Sequence, residues 1–182
     1  LSSWQVVVDE YAKMGTEIKI TTVPYEFKGF MGMRNFIIED AEGKKIAWAN
    51  SNWTHLDIST GLPARLTPVD TDNYVLGEKM EMDYAPRKIK LPEDMIAQEA
   101  FTVQKHHLDT NHHVNNCQYV CMAEDFLPES FKIYQMRAEY KMQAKLGDVI
   151  CPKVKTETDK VVVSLDNIEG KAYAILEFLK NK

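Results

Sequence analysis

The feature that most constrains this chain is a short internal repeat. Residues 12–18 read AKMGTEI and residues 144–150 read AKLGDVI, so the two stretches lie 144 − 12 = 132 positions apart. A second pair follows the first in both parts of the chain. EGK at 42–44 recurs at 169–171, with an offset of 169 − 42 = 127. The change in offset corresponds to one small insertion or deletion. Agreement in order and spacing predicts a duplicated structural unit.

Both copies lie among runs that are rich in β-forming residues. Turn-forming stretches at 40–43 and 167–170, which contain Asp or Asn together with Gly, separate neighbouring runs. This pattern predicts two antiparallel β-meanders. The predicted strands are residues 4–11, 17–25, 34–39 and 45–56 in the first copy, and 133–141, 149–156, 161–165 and 172–179 in the second.

The second copy carries an additional strand and helix at its front. Residues 95–104 form a strand candidate, and residues 116–127 have the apolar stripe of a buried helix that Pro128 stops. The stripe consists of Tyr119, Met122, Ala123, Phe126 and Leu127. The first copy has no counterpart, so a complete repeat predicts about 35 residues ahead of Leu1.

These patterns predict an α+β fold in which an antiparallel sheet wraps around a central helix, twice, with the first copy lacking its N-terminal strand and helix. Between the copies, residues 59–94 hold four of the seven prolines and little alternation, which indicates a linker. Thr67 and Pro68 predict one short helix inside it. The expected domains are therefore residues 1–58 and 95–182, joined by 59–94.

Composition excludes several classes of function. The chain has 22 Lys and Arg against 27 Asp and Glu, a formal charge of −5, and so has no basic excess for binding nucleic acid. No stretch approaches the roughly 20 apolar residues of a membrane-spanning helix. Three cysteines without Cys-x-x-Cys spacing predict neither a disulfide framework nor a zinc knuckle. We expect a cytoplasmic protein with reduced cysteines.

The densest polar segment, residues 106–116, lies where the predicted strand leads into the predicted helix. The first N–H groups of a helix lack intrahelical acceptors and carry the positive end of the helix dipole, which favours an oxyanion. Asp109, Asn111 and His113 alternate along the segment, so an extended backbone would point all three side chains to one side. One face would then hold a carboxylate, an amide and an imidazole.

Plainer interpretations of this segment remain open. Asn115 or Asn116 can simply cap the helix, and Asp109 can hold a turn. A metal site would use Asp109 and the four histidines of the segment, His106, His107, His112 and His113. Adjacent histidines point to opposite faces of a strand and no recognised ligand spacing is present, so we predict no metal. The absence of Gly-x-Ser-x-Gly argues against a serine hydrolase.

Residues 108–116, LDTNHHVNN, followed by Tyr119, resemble the active-site motif of the acyl-ACP thioesterases, which precedes the central helix of their second hotdog domain. The resemblance extends to Gly32-Met33-Arg34, Trp53 and residues 62–68 in the first hotdog domain, and to Glu139-Tyr140-Lys141 in the second. It covers nearly the whole chain. It implies two tandem hotdog domains and hydrolysis of fatty acyl-ACP to free fatty acid, without a cofactor.

Carried over by position, the resemblance implies that His113 and Asn111 are catalytic and that Asp109 is their positioning partner or base. Gln143 stands where family members usually have a carboxylate, and a neutral amide cannot accept a proton from water. The local chemistry adds a substrate-binding role for the backbone N–H groups at the helix start. These candidate donors are Asn115, Asn116 and Cys117.

The implied partner is a small acidic acyl carrier protein with a phosphopantetheine arm. Because this chain is also acidic, contact requires a local basic patch, and the best candidates are Arg87, Lys88 and Lys90. Two other functions remain as alternatives: a hotdog thioesterase that acts on acyl-CoA, and a non-catalytic acyl-binding protein, which Gln143 makes conceivable. The chain is expected to be a monomer or a homodimer.

Overall fold

The strands of the first unit form one antiparallel meander. The computed structural model describes residues 1–180 and divides the chain into two units, Leu1–Ala85 and a second that begins at Pro86. The strands of the first unit are β1 (Ser3–Val8), β2 (Lys19–Lys28), β3 (Met31–Glu39) and β4 (Lys45–Thr54), and the unit also contains one helical turn, α1 (Pro68–Thr71). Its sheet has the order β2-β3-β4-β1.

The second unit repeats this meander and adds a helix. The elements are β5 (Ile96–Ala97), β6 (Phe101–Thr102), a 3-10 turn (Lys105–His107), α2 (Asn116–Glu124), β7 (Ile133–Tyr140), β8 (Val149–Thr156), β9 (Lys160–Asp166) and β10 (Ala172–Lys180). Four of the strands have the order β8-β9-β10-β7, which matches β2-β3-β4-β1 strand for strand and confirms the predicted duplication. The two short strands, β5 and β6, also pair with β8.

The repeated EGK sequences form the same turn in both units. In the first, the N–H of Asp40 donates to the carbonyl of Lys44 at 3.0 Å, and Asp40 Oδ1 accepts the N–H of Lys44 at 2.8 Å. In the second, Asn167 and Lys171 make the equivalent bonds at 2.8 and 2.9 Å. Each turn contains a glycine with positive φ, Gly43 at 81° and Gly170 at 77°. The short side-chain acceptor and the glycine therefore explain why this part of the repeat persisted.

Helix α2 packs against the sheet of its own unit. Tyr119, Met122 and Ala123 form its buried face, as the apolar spacing predicted, and α2 contacts β9 and β10. The helix ends at Glu124, three residues before the predicted Leu127. The N–H groups of Phe126 and Leu127 bond to carbonyls three residues back, so the chain tightens before Pro128.

The segment expected to be a linker is bound to the sheet of the first unit along residues 77–85. Two buried amides hold it. Gln5 bonds to the carbonyl of Asp83 at 2.7 Å and to the N–H of Ala85 at 2.9 Å. Asn35 Oδ1 accepts the N–H of Met80 at 3.1 Å. Since the second unit begins at Pro86, the structural boundary lies within the expected linker.

The expected strand at 95–104 is divided into β5 and β6, because residues 98–100 between them are not in regular strand, although the N–H of Gln98 still donates to the carbonyl of Pro152 in β8 at 2.9 Å. In the first unit, an apolar cavity of about 430 Å³ lies on the sheet and is lined by Phe27, Phe36, Trp53 and Tyr74 together with Arg34.

None of the helices in residues 1–180 has the length and apolar character that a membrane-spanning helix requires.

Candidate active site

The polar motif of the second unit is folded into a tight hairpin loop. Leu108 and Val114 form an antiparallel bridge, and inside it the N–H of Asp109 donates to the carbonyl of His113 at 2.8 Å. The N–H of His112 donates back to the carbonyl of Asp109 at 3.1 Å, and His112 has φ = 60°. A turn followed by one left-handed residue is a common three-residue hairpin connection.

The expectation that Asp109, Asn111 and His113 alternate along an extended segment is therefore wrong, because the chain reverses between them. The turn nevertheless brings the three together around one carboxylate. Asp109 Oδ1 accepts the N–H of Asn111 at 2.8 Å and that of His113 at 3.3 Å. The imidazole of His113 and the amide of Asn111 are therefore held on a loop that the Asp109 side chain closes.

The carboxyl group of Asp109 is kept ionised by these contacts. Desolvation acts to raise its pKa, but hydrogen bonds from Asn111 and His113, together with the positive charge that His113 can carry, lower it. The net pKa of Asp109 lies below the ordinary value of 3.8. The group therefore presents a negative charge to His113 throughout the neutral range.

We expect Asp109→Asn to lower the free energy of unfolding at neutral pH and to have a smaller effect in acid. A carboxyl group whose pKa is lower in the folded state contributes stability above its unfolded pKa, and loses that contribution as the pH falls through the folded value. Urea denaturation of the native and variant proteins at pH 7, 5 and 3 measures the difference. If the difference in the free energy of unfolding between the native protein and the variant increased toward pH 3, this explanation would be contradicted.

The first turn of α2 has one N–H group available for a substrate. Asn115 is the N-cap, and its Oδ1 accepts the N–H of Cys117 at 2.8 Å. The N–H of Asn115 donates to the carbonyl of His107 at 2.9 Å. The N–H groups of Asn115 and Cys117, which were expected to be donors to a substrate, thus already have acceptors within the protein. The N–H of Asn116 has no acceptor within residues 1–180 and remains free.

A buried tyrosine connects this loop to the segment after β7. The hydroxyl of Tyr119, which is 2% exposed, accepts the N–H of Ala144 at 2.9 Å. The carbonyl of Ala144 accepts the N–H of Val114 at 2.9 Å, so exposed Gln143 lies one residue from a contact with the 109–114 loop. Burial raises the pKa of Tyr119 to about 12, so its hydroxyl stays neutral. Tyr119 was expected in the apolar stripe and next to the 108–116 motif, but its bond to Ala144 was not predicted.

The other sequence candidates lie outside this arrangement. The rings of His106 and His107 meet edge to face, with 4.1 Å between their centroids. Within residues 1–180, no three His, Cys, Asp or Glu side chains converge on a point that could hold a metal ion. Arg87, Lys88 and Lys90 lie at the start of the second unit and are exposed.

In the second unit a helix packs on an antiparallel meander, and just before this helix Asp109 closes a turn by accepting the backbone N–H groups of Asn111 and His113. One short segment therefore holds a carboxylate, an amide side chain, an imidazole and the unbonded N–H of Asn116. Fold and site together define a hotdog-type thioester hydrolase.

Comparison with known proteins identifies the family. The model of the acyl-ACP thioesterase N-terminal domain matches residues 1–74, and the model of the C-terminal domain matches residues 90–175. The chain belongs to the acyl-ACP thioesterase family, as the sequence motif predicted. No curated protein sequence matches it.

Solved structures with the same fold include two from this class. An acyl-ACP thioesterase from Bacteroides thetaiotaomicron is 19% identical with a TM-score of 0.87, and the match covers 99% of this chain and 75% of that one. The 12:0-ACP thioesterase from Umbellularia californica is 16% identical with a TM-score of 0.86, covering 99% of this chain and 74% of that one. Both support the hotdog fold.

Proposed function

We propose that His113, Asn111 and Asp109 carry out the hydrolysis of fatty acyl-ACP in this chain, releasing the free fatty acid. The observation that supports this assignment is the bonding of Asp109 Oδ1 to the backbone of both other residues. That carboxylate fixes the loop directly ahead of the start of α2. The acid–base group and the free N–H of Asn116 thus belong to one short, hydrogen-bonded segment.

In the first step, His113 accepts a proton from a water molecule as that water attacks the thioester carbonyl. Asp109 stabilises the imidazolium that forms, and Asn111 orients the water or donates a second hydrogen bond to the carbonyl oxygen. The N–H of Asn116 stabilises the negative charge that develops on this oxygen. One such donor is worth about 3 kcal/mol in the transition state.

In the second step, the tetrahedral intermediate collapses and the carbon–sulfur bond breaks. His113 returns its proton to the leaving sulfur, so the products are a fatty acid and the thiol of the carrier's phosphopantetheine arm. Gln143 can hold the attacking water by hydrogen bonds but cannot take its proton. We therefore assign the base role to His113 and an orienting role to Gln143.

Isotope labelling distinguishes direct attack by water from attack by the Asp109 carboxylate through a transient anhydride. In a single turnover of acyl-ACP in water labelled with oxygen-18, we expect the label in the released fatty acid and none in the protein. Mass spectrometry of the peptide that contains Asp109 provides the measurement. Labelled oxygen in Asp109 would reject direct attack.

Two competing functions are separated by substrate comparison. At equal acyl chain length, we expect a higher kcat/KM for acyl-ACP than for acyl-CoA. A higher value for acyl-CoA would favour the acyl-CoA thioesterase, and tight binding of acyl-ACP without release of acid would favour a non-catalytic binding protein.

We also propose that the protein functions in the cytoplasm as a monomer or a homodimer. The support for the compartment is chemical, because Cys117, Cys121 and Cys151 are all free thiols, as a reducing environment permits. Cell fractionation tests the location, and sedimentation velocity tests the number of chains.

A further inference from the structure

We propose that residues 86–90, here called the basic strap, form the surface on which the acidic carrier protein docks. This inference rests on the proposed function, since it names the site at which that substrate's protein part is held. The strap reads PRKIK, and no other stretch of four residues in the chain has three cations, as residues 87–90 do.

The cations of the strap are available for a partner. Arg87, Lys88 and Lys90 are exposed, and in the described part of the chain none of them forms an ion pair with a carboxylate. Some other lysines are already paired with a carboxylate, as Lys153 is with Asp166 at 2.8 Å. Because the whole chain carries a charge of −5, attraction of an acidic partner depends on such a local group of free cations.

The backbone of the strap is anchored to the sheet of the second unit by an apolar contact and by a buried carboxylate. Ile89 is 6% exposed and packs with Val162 and Ile175 on the sheet of the second unit. Its N–H donates to Glu139 Oε2 at 3.1 Å, and Glu139 is itself buried. Ile89 therefore points into the protein and fixes the segment from which its charged neighbours extend.

A second anchor is provided by a shielded ion pair. The guanidinium of Arg137 donates to the carbonyl of Pro86 and, at 3.0 Å, to that of Lys88. Arg137 is held by Glu177 at 2.7 Å, and the two side chains are only 12% and 13% exposed. An anchored backbone loses less conformational entropy on binding than a free loop does, so its charges contribute more to affinity.

The residues that anchor the strap lie on the same strand as a residue that contacts α2. Arg137 and Glu139 lie on β7, and on the same strand the hydroxyl of Tyr140 donates to the carbonyl of Asn116 at 3.1 Å. Three residues of extended strand, from 137 to 140, span about 10 Å. Because side chains alternate along a strand, Arg137 and Glu139 point to the face of β7 opposite to Tyr140, so the strap and the start of α2 are anchored on opposite faces of one strand.

Kinetics with two substrates test the proposal. In the full chain, we expect the triple change of Arg87, Lys88 and Lys90 to Ala to raise the KM for acyl-ACP about fivefold or more at low salt, with little change in kcat. Hydrolysis of a carrier-free acyl thioester of N-acetylcysteamine should be unchanged. Added salt should raise the KM of the native enzyme for acyl-ACP more than that of the variant.

A matched control removes one exposed Arg and two exposed Lys elsewhere, by changing Lys13, Lys28 and Arg65 to Ala. This variant should retain the native KM. An unchanged KM in the strap variant, or an equal rise in the control, would overturn the docking site while leaving hydrolysis intact. Failure of the native enzyme to hydrolyse either substrate would instead contradict the proposed function, and the docking proposal with it.

Discussion

Asn116→Pro is expected to lower the turnover of acyl-ACP by about 100-fold or more. Proline has no N–H, so the change removes the one unbonded donor at the start of α2 that could stabilise the oxyanion. Loss of one preorganised donor typically costs about 10²–10³ in kcat. Steady-state release of free fatty acid measures the effect.

The fold is expected to tolerate this change, because Asn116 is the first residue of the helix. Proline is favoured at that position, where its fixed φ suits the helix and the missing N–H has no intrahelical acceptor. The preceding residue must be extended, and Asn115 already has φ −61° and ψ 139°. The carbonyl of residue 116, which Tyr140 binds, is retained.

Asn116→Ala is the matched control, since it removes the side chain but keeps the N–H. It should retain turnover within about threefold if the backbone donor carries the effect. Equal loss in the two variants would assign the role to the Asn116 side chain. Full activity of the proline variant would remove this donor from the mechanism.

His113→Ala is expected to reduce kcat for acyl-ACP by about 100-fold or more, the usual scale of general acid–base assistance. The hydrogen bonds that shape the loop use the backbone of His113, so they survive loss of the imidazole. Added imidazole should restore part of the activity.

His106→Ala provides the control for histidine loss near the site. His106 is exposed and contacts the ring of His107 edge to face outside the 109–113 turn, so its removal should leave turnover within about twofold. A loss of less than threefold in His113→Ala would exclude His113 as the acid–base group.

The strands and turns could be predicted from the sequence because local chemistry specifies them. The strand from Lys160 to Asp166 follows from three consecutive valines, which favour a pleated backbone, and the turns at Asp40 and Asn167 follow from a short side-chain acceptor and a glycine. The repeat added the topology, since two copies of one meander fold alike. The position of α2 followed from its apolar spacing and its Asn cap.

The rest depended on contacts that local patterns do not encode. Nothing in residues 77–85 indicates that the amides of Gln5 and Asn35, 45 or more positions away, supply their hydrogen bonds. The reversal at 109–113 depends on His112 adopting a positive φ, which glycine would have signalled and histidine does not. The sequence does not show that the Asn115 side chain accepts the N–H of Cys117, and this bond is what leaves the N–H of Asn116 as the unbonded donor.

All residues assigned to the chemistry belong to the second unit, whereas the apolar cavity near Trp53 belongs to the first. The proposed chemistry and the apolar cavity therefore depend on different copies of the repeat. The later copy holds the hydrogen bonds of Asp109 and the Asn116 N–H on which the proposed chemistry relies. The earlier copy can accumulate substitutions that reshape its cavity while every hydrogen bond of the 109–116 segment stays intact.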